Sequence, residues 1–242
     1  QIVHRSNARL ERDLEICHRW NVPIWITSLG ARVEVNQAAH ACGGITLHDI
    51  INNTFAKKAI EKGADGLIAV AAGAGGHAGA QSPLALISEI RDWFDGPLLL
   101  SGAISTGRSI LAAQAMGADL AYIGSPFIAT NEANAVPDYK DMIVSSGAED
   151  IVYSNLFTGV HGNYLKPSIA KAGLDPNNLE QSDPTKMDFG ANRQKPKSWK
   201  EIWGAGQGIG SVKSVAPTAD LVARLAREYS AAKQAFQSVV NG

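Results

Sequence analysis

The sequence predicts an α/β fold on a parallel sheet, of the (β/α) barrel kind, and three observations predict it. Short apolar runs recur along residues 1–130 without the in/out alternation of a half-exposed sheet, which is how strands buried on both faces read. Helical patterns separate those runs, so strand and helix alternate as in right-handed βαβ units. The last two runs end in turns of small residues, where barrels of this kind commonly hold a phosphate. Alternation alone fits an open doubly wound sheet equally well; the two turns tip the reading towards a barrel.

The elements follow in order. The stub Gln1-Ile2-Val3 reads as the end of a strand, so the chain is expected to start inside a fold. Clear strands are expected at 22–28, 45–50, 66–71, 97–101 and 120–124. Helices are expected at 8–20, where Leu10, Leu14 and Cys17 share a face, at 53–62 with Phe55, Ala59 and Ile60, and at 109–116. Gly63-Ala64-Asp65 and Gly117-Ala118-Asp119 repeat one pattern: glycine turns the helix end, alanine packs, and aspartate precedes the next strand. Five strands and a stub fall short of the eight a closed barrel needs, so either two units lie upstream or the strand count is incomplete. Residues 131–147 read as a helix, and 148–217 as a Gly-, Pro-, Asn- and Ser-rich stretch with few strand signals. Residues 218–240 form one long amphipathic helix, with Leu221, Val222, Leu225, Tyr229, Ala232 and Phe236 on one stripe and Thr218 at its start. The expected organisation is a barrel over 1–130 and 218–242, with 131–217 as an inserted cap.

Composition narrows the function. The 242 residues carry 22 basic and 23 acidic side chains and a formal net charge of −1, which favours neither a nucleic acid nor an anionic membrane as partner. The most basic stretch, 193–200, is interrupted by Pro196 and reads as a solvated loop. No apolar run reaches the ~18 residues of a membrane span. Two cysteines, Cys17 and Cys42, give neither a disulfide framework nor metal-ligand spacing. A reduced, cytoplasmic protein without a signal peptide is expected.

The chemistry is expected at three places. The fourth strand runs into Ser101-Gly102-Ala103-Ile104 and the fifth into Gly124-Ser125. Small residues let backbone N–H groups approach an anion, and the Ser125 hydroxyl adds a donor. Arg108 is expected on a helix surface instead. The third strand runs into Gly73-Ala74-Gly75-Gly76-His77-Ala78-Gly79, whose glycines allow close approach of a flat ligand and whose histidine suits proton transfer near neutral pH. The other histidines are weaker candidates. His4 and His18 lie in the first segment, and His40 near a helix end. His48, beside Asp49 at a strand end, has even odds of facing the cavity; His161 in the cap would either close over substrate or lie in an exposed turn, the turn being preferred. No Gly-x-Ser-x-Gly elbow or metal cluster is present, so the chemistry is expected from an organic cofactor or from His77 alone, and the phosphate turns beside a glycine-lined cavity suggest a phosphate-bearing cofactor.

Ala74-Gly75-Gly76-His77-Ala78-Gly79, Leu100-Ser101-Gly102-Ala103-Ile104 and Gly124-Ser125-Pro126-Phe127-Ile128-Ala129-Thr130 resemble the nitronate monooxygenase family, and the likeness extends to Trp203-Gly204-Ala205-Gly206-Gln207-Gly208 and the final helix. The resemblance implies an FMN-binding (β/α)8 TIM barrel with a small inserted domain, lacking its N-terminal strands so that strands 3–8 remain. It implies that His77 is catalytic, that Gly75 and Gly76 lie beside the flavin, that Ser101, Gly102, Ala103, Ile104, Gly124 and Ser125 hold its phosphate, and that Trp203 and Gly206 approach the substrate. Some relatives place a lysine where Asp49 stands. The implied reaction oxidises alkyl nitronates or nitroalkanes with O2 to carbonyl compounds and nitrite, with a homodimer as the assembly to test. Two other readings stand beside it: an NAD(P)H-dependent flavin reductase of quinones or enoyl thioesters, and an inactive flavin-binding fragment.

Overall fold

The computed structural model describes residues 1–3, 7–181 and 200–240. His4 and most of the basic stretch 193–200 lie outside them. Strands β1 (Ile2–Val3), β2 (Ile24–Ser28), β3 (Ile45–Ile50) and β4 (Gly66–Val70) are followed by a short β5 (Gly76–His77), then β6 (Leu98–Ser101) and β7 (Leu120–Ala121). All but β5 form one parallel six-stranded sheet in the order β1-β2-β3-β4-β6-β7. The stub and the five strands read from the sequence are therefore the strands of this sheet. Among the described residues β1 and β7 are its two edges and do not pair with each other, so the sheet is open and closure into an eight-stranded barrel is not observed.

Helices α1 (Leu10–Arg19), α2 (Val33–Ala41), α3 (Asn53–Glu61), α4 (Pro83–Arg91) and α5 (Gly107–Ala115) alternate with the strands. Sequence reasoning omitted α2 and α4. The apolar face of α2 is interrupted by buried Asn36, whose amide donates to the carbonyl of Lys62 at 2.8 Å. Local chemistry sets several starts. The Asn52 side chain accepts the N–H of Phe55 at 2.9 Å, and Thr106 and Ser109 form a reciprocal capping box. The repeated Gly-Ala-Asp pattern has a further role. Asp65 accepts the N–H of Thr46 at 2.7 Å and Asp119 that of Leu98 at 2.8 Å, so each aspartate clamps the start of the strand beside its own.

One face of the sheet, through Ile50, Leu67, Ala69, Leu98 and Leu100, packs on Ala56 and Ala59 of α3, on Leu86, Ile87 and Ile90 of α4, and on Ala113 of α5. The opposite face, through Leu47, Ile68, Val70 and Leu99, packs on Ala74 and Ala78 of the glycine loop. That loop thus folds back over the sheet instead of projecting into solvent.

Beyond β7 come α6 (Ser125–Ile128), α7 (Pro137–Ser145), β8 (Ile151–Ser154), β9 (Gly162–Leu165), α8 (Lys166–Lys171) and α9 (Thr218–Val240). The helix expected from 131 begins only at Pro137, where a proline suits the first turn. A stretch expected to hold few strands instead contributes β8 and β9, which join β5 in an antiparallel sheet ordered β5-β9-β8. Gly162 and Asn163 read locally as turn residues but are required by distant partners. A Cβ at Gly162 would lie 2.8 Å from the carbonyl oxygen of Gly76, and the Asn163 amide donates to Ala74 O at 2.7 Å. Finally α9 lies on α5 with almost no separation: a Cβ on Gly107 would fall 2.0 Å from the backbone nitrogen of Tyr229. Thr218 opens α9 with its hydroxyl given to Glu132 at 2.8 Å. Among the described residues no helix is long and apolar enough to cross a membrane.

Candidate active site

The C-terminal ends of β4, β6 and β7 open on one cavity of about 270 Å3. Its walls combine Gly73, Ala74 and Gly75 of the glycine loop, the turn Ser101-Gly102-Ala103-Ile104, the turn Gly124-Ser125-Pro126, and Tyr122, Gly206 and Gly208. The structure thus brings together Gly75, Ser101, Gly102, Ala103, Ile104, Gly124, Ser125 and Gly206 from the sequence-predicted set. Sequence reasoning missed Tyr122 and Pro126 as wall residues; Gly208 stood in a quoted stretch but had no role.

Backbone crossings explain the glycines. The segment 204–208 lies directly on the glycine loop, and a Cβ on Gly75 would sit 2.7 Å from Gly206 N. Gly206 donates its N–H to Ser125 Oγ at 2.8 Å, and Gln207 donates to Gly73 O at 2.9 Å. At the first turn, Gly102 (φ 156°) and Ala103 (φ 53°) both have positive φ, and Ala103 donates its N–H to Gly73 O at 3.1 Å. Alanine rarely adopts this conformation, and it costs on the order of 1–3 kcal/mol. A Cβ on Gly124 would meet nothing within 4 Å, so this position opens onto free space.

The walls fit the phosphate end of a flavin nucleotide. No charged side chain is among them. Among the described residues, the N–H groups of Ile104, Gly124 and Ser125 have no backbone acceptor. Ser125 Oγ already accepts from Gly206, which leaves its O–H to donate. Arg108 is exposed on α5, as expected. Among the described residues no group of three or more His, Cys, Asp or Glu is placed to hold a metal ion.

His77 is half-buried on β5, two residues along the chain from the wall residue Gly75; neither it nor Gly76 is itself a wall residue. Its Nε2 lies 2.8 Å from Thr158 Oγ1 in the β8–β9 loop, and burial lowers its pKa. The neighbouring pair on β3 divides by strand parity. Leu47 belongs to the cluster on the loop-covered face, and Asp49 shares its parity; Ile50 belongs to the cluster on the helix-covered face, and His48 shares that parity. His48, 2 % exposed and bonded through Nδ1 to Thr27 Oγ1 at 2.5 Å, is therefore placed away from the cavity. Asp49 has a buried Oδ1 with no hydrogen-bond partner, its Oδ2 accepts from Gln1 Nε2 at 3.2 Å, and desolvation raises its pKa to about 7. Tyr122 feels that carboxyl: burial first, then Asp49, raises its own pKa.

Two expected cap residues are placed elsewhere. Trp203 is packed in an apolar cluster with Ile143, Leu165 and Ile209 and stacks on Tyr139 with ring centroids 5.0 Å apart, so it supports the 204–208 segment from behind. His161 is exposed in the β8–β9 turn and stacks on Tyr153 at 5.0 Å.

A model of the nitronate monooxygenase family matches residues 4–228. The chain belongs to that family. It is 23% identical over 218 residues to the nitronate monooxygenase of Neurospora crassa, covering 82% of this chain and 57% of that protein. The chain spans about half the length of the curated relatives it matches, or less. Among solved structures, this nitronate monooxygenase family chain is similar to a FabK (M276A) mutant from Thermotoga maritima (TM-score 0.78, 18% identity, 98% of this chain and 76% of that one). It is also similar to nitroalkane oxidase from Streptomyces ansochromogenes (TM-score 0.73, 24% identity, 93% and 69%). At these identities the likeness establishes the fold.

Proposed function

We propose that this chain is the flavin-binding part of an FMN-dependent oxidoreductase that oxidises alkyl nitronates, and nitroalkanes after loss of a proton, to carbonyl compounds and nitrite with O2. The observation that carries the reading is one cavity shared by both small-residue turns and by the glycine loop that leads into His77. The small, uncharged walls of this cavity leave room for backbone N–H groups to approach a phosphate. Ile104, Gly124 and Ser125 would hold the phosphate, and Gly75 with Gly206 would bound the adjoining chain. The likeness to nitroalkane oxidase and FabK supports reading the six parallel strands as strands 3–8 of a (β/α)8 barrel, with 131–217 as its cap.

When bound, the flavin supplies the electron acceptor that connects substrate to O2. The chain's own residues supply the rest. Burial favours neutral His77, the form that can take the α-proton of a neutral nitroalkane. A nitronate has already lost that proton and needs only to be bound. Segment 204–208 and the β8–β9 loop cover the glycine loop and limit water at the ring.

The test is anaerobic mixing of the FMN-loaded protein with propionate 3-nitronate. Bleaching of the visible flavin band is expected. An unchanged spectrum, with bleaching instead by NADH in support of quinone or enoyl-thioester reduction, overturns the nitronate reading and leaves the flavin site standing.

A further inference from the structure

We propose that Arg224 and Glu228, both on α9, are positioning residues that hold the turn 101–104 in the shape that takes the FMN phosphate. The inference rests on the flavin reading above and extends it to a helix that gives the cavity no wall residue.

The turn needs holding from outside. Ala103 has φ 53°, a conformation that a residue with a Cβ keeps only where its surroundings over-determine it. Upstream, the Ala103 N–H is bound by Gly73 O at 3.1 Å. Downstream, the next residues are held by α9. Arg224 Nη2 donates to Ser105 O at 3.3 Å, and Glu228 Oε2 accepts the N–H of Gly107 at 2.8 Å. Arg224 Nη1 donates to Glu228 Oε1 at 2.8 Å, which closes a ring over residues 105–107. Segment 207–211 adds a third hold. Ser211 Oγ lies 2.8 Å from Ser105 Oγ, and a Cβ on Gly208 would lie 2.8 Å from Ala103 O. Ser105 is 4 % exposed in this grip. Ile104, whose N–H is a candidate phosphate donor, stands between the two held residues Ala103 and Ser105.

The pair sits where a helix normally carries apolar side chains. Leu221 and Leu225 are buried on the stripe of α9 that meets α5, and Arg224 and Glu228 follow Leu221 by three and seven positions, on the same stripe. A salt bridge between exposed helical neighbours adds little to stability. Here the two side chains are only 31 % and 33 % exposed, and each makes a second bond to the backbone beside the turn. A guanidinium fork and a carboxylate can each hold two partners at once. Gly107 brings the helices within reach, since a Cβ there would fall 2.6 Å from Glu228 Cβ. The two charges oppose each other, so the pair acts as a brace and not as an attractor of anions. Those two roles give opposite signs in one variant.

The test is fluorescence titration of the flavin-free chain with FMN and with riboflavin, with Tm recorded for each variant. The unsubstituted protein is expected to bind FMN the more tightly. Glu228→Gln keeps the side chain's shape but leaves one acceptor oxygen for two donors; it is expected to weaken FMN about fivefold and riboflavin by less than about twofold. Were Arg224 acting by its charge, the same substitution would tighten FMN, because the opposing charge is gone. Arg224→Gln releases Ser105 O while Glu228 still holds Gly107, and an FMN-selective loss of about the same size is expected. Should one variant not fold, the other decides. A lower Tm with equal loss for both flavins marks a purely structural pair and overturns the proposal, as does unchanged or tighter FMN binding in Glu228→Gln. An unsubstituted protein that favours neither flavin fails the flavin reading and takes this inference with it; a preference for FMN that survives both substitutions overturns this inference alone.

Discussion

Two ionisable side chains near the candidate site are driven towards their uncharged forms by the same cause acting in opposite directions. Burial lowers the pKa of His77 and raises that of Asp49 to about 7, because a poorly solvated setting disfavours whichever form carries charge. For His77 the consequence is kinetic. His77→Ala is expected to lower kcat/KM for nitroethane by about 10²–10⁴-fold, the usual range for a general base, and that for a preformed nitronate by a much smaller factor. Steady-state assays on both substrates decide it, and equal losses would remove the base role. For Asp49 the consequence is thermodynamic. Its folded pKa stands above the unfolded value near 3.8, so the folded state holds a proton that the unfolded chain has lost between about pH 4 and 7. Stability from this residue is therefore fully present below pH 3.8 and is lost as pH rises through 7. Asp49→Asn cannot ionise and escapes the loss. Each pKa unit is worth about 1.4 kcal/mol; three units would give a ceiling of about 4, and partial exposure reduces the expectation to about 2 kcal/mol in favour of the variant at pH 8. Melting temperatures at pH 4 and pH 8 test this: the advantage of Asp49→Asn should be near zero at the lower pH, and a gap independent of pH would refute it.

Between elements, the site depends on two backbone segments crossing without side chains between them. Gly206 has φ −85°, an ordinary value, so its glycine is not required by backbone conformation. A Cβ there would instead lie 2.7 Å from Gly73 O and 3.0 Å from Gly75 N. Gly206→Ala is thus expected to push the 204–208 segment off the glycine loop, at a cost of about 1–3 kcal/mol in stability, with weaker retention of FMN. Thermal melting and flavin fluorescence titration measure both, and unchanged FMN affinity would show that the crossing does not shape the cofactor cavity. How much the sequence revealed follows the same division. Doubly buried strands such as Gly66–Val70 announce themselves by composition, and the turns at Gly102 and Gly124 by the strands they end. β8 and β9 did not, since Gly162 and Asn163 answer to Gly76 and Ala74 some 86 and 89 positions away. Tyr122 was read as strand; β7 in fact stops at Ala121 and frees Tyr122 for the cavity wall. His48 and Asp49 differ in parity, so only one could face the cavity. A strand apolar on both faces gives no sign of which.

Across the whole molecule, the cavity is assembled from positions between Gly73 and Gly208, so any group that fills it ties the ends of the parallel strands to segment 204–208. A ligand that binds only the folded state stabilises it by about 2.7 kcal/mol at a hundredfold excess over Kd. At roughly 2–4 °C per kcal/mol for a chain of this size, FMN at that excess is expected to raise Tm by about 5–11 °C. The cavity's candidate donors are the N–H groups of Ile104, Gly124 and Ser125 together with the Ser125 hydroxyl, all suited to an anion. Riboflavin has the same ring and no phosphate, so at equal concentration it should give at most a small part of the shift. Ser125→Ala should reduce the FMN shift by more than the riboflavin shift, because loss of the bond from Gly206 N–H affects both flavins alike while loss of the hydroxyl's donation affects the phosphate alone. Equal stabilisation by the two flavins would mean that ring contacts alone hold the cofactor and that the two small-residue turns serve the chain's packing instead of its chemistry.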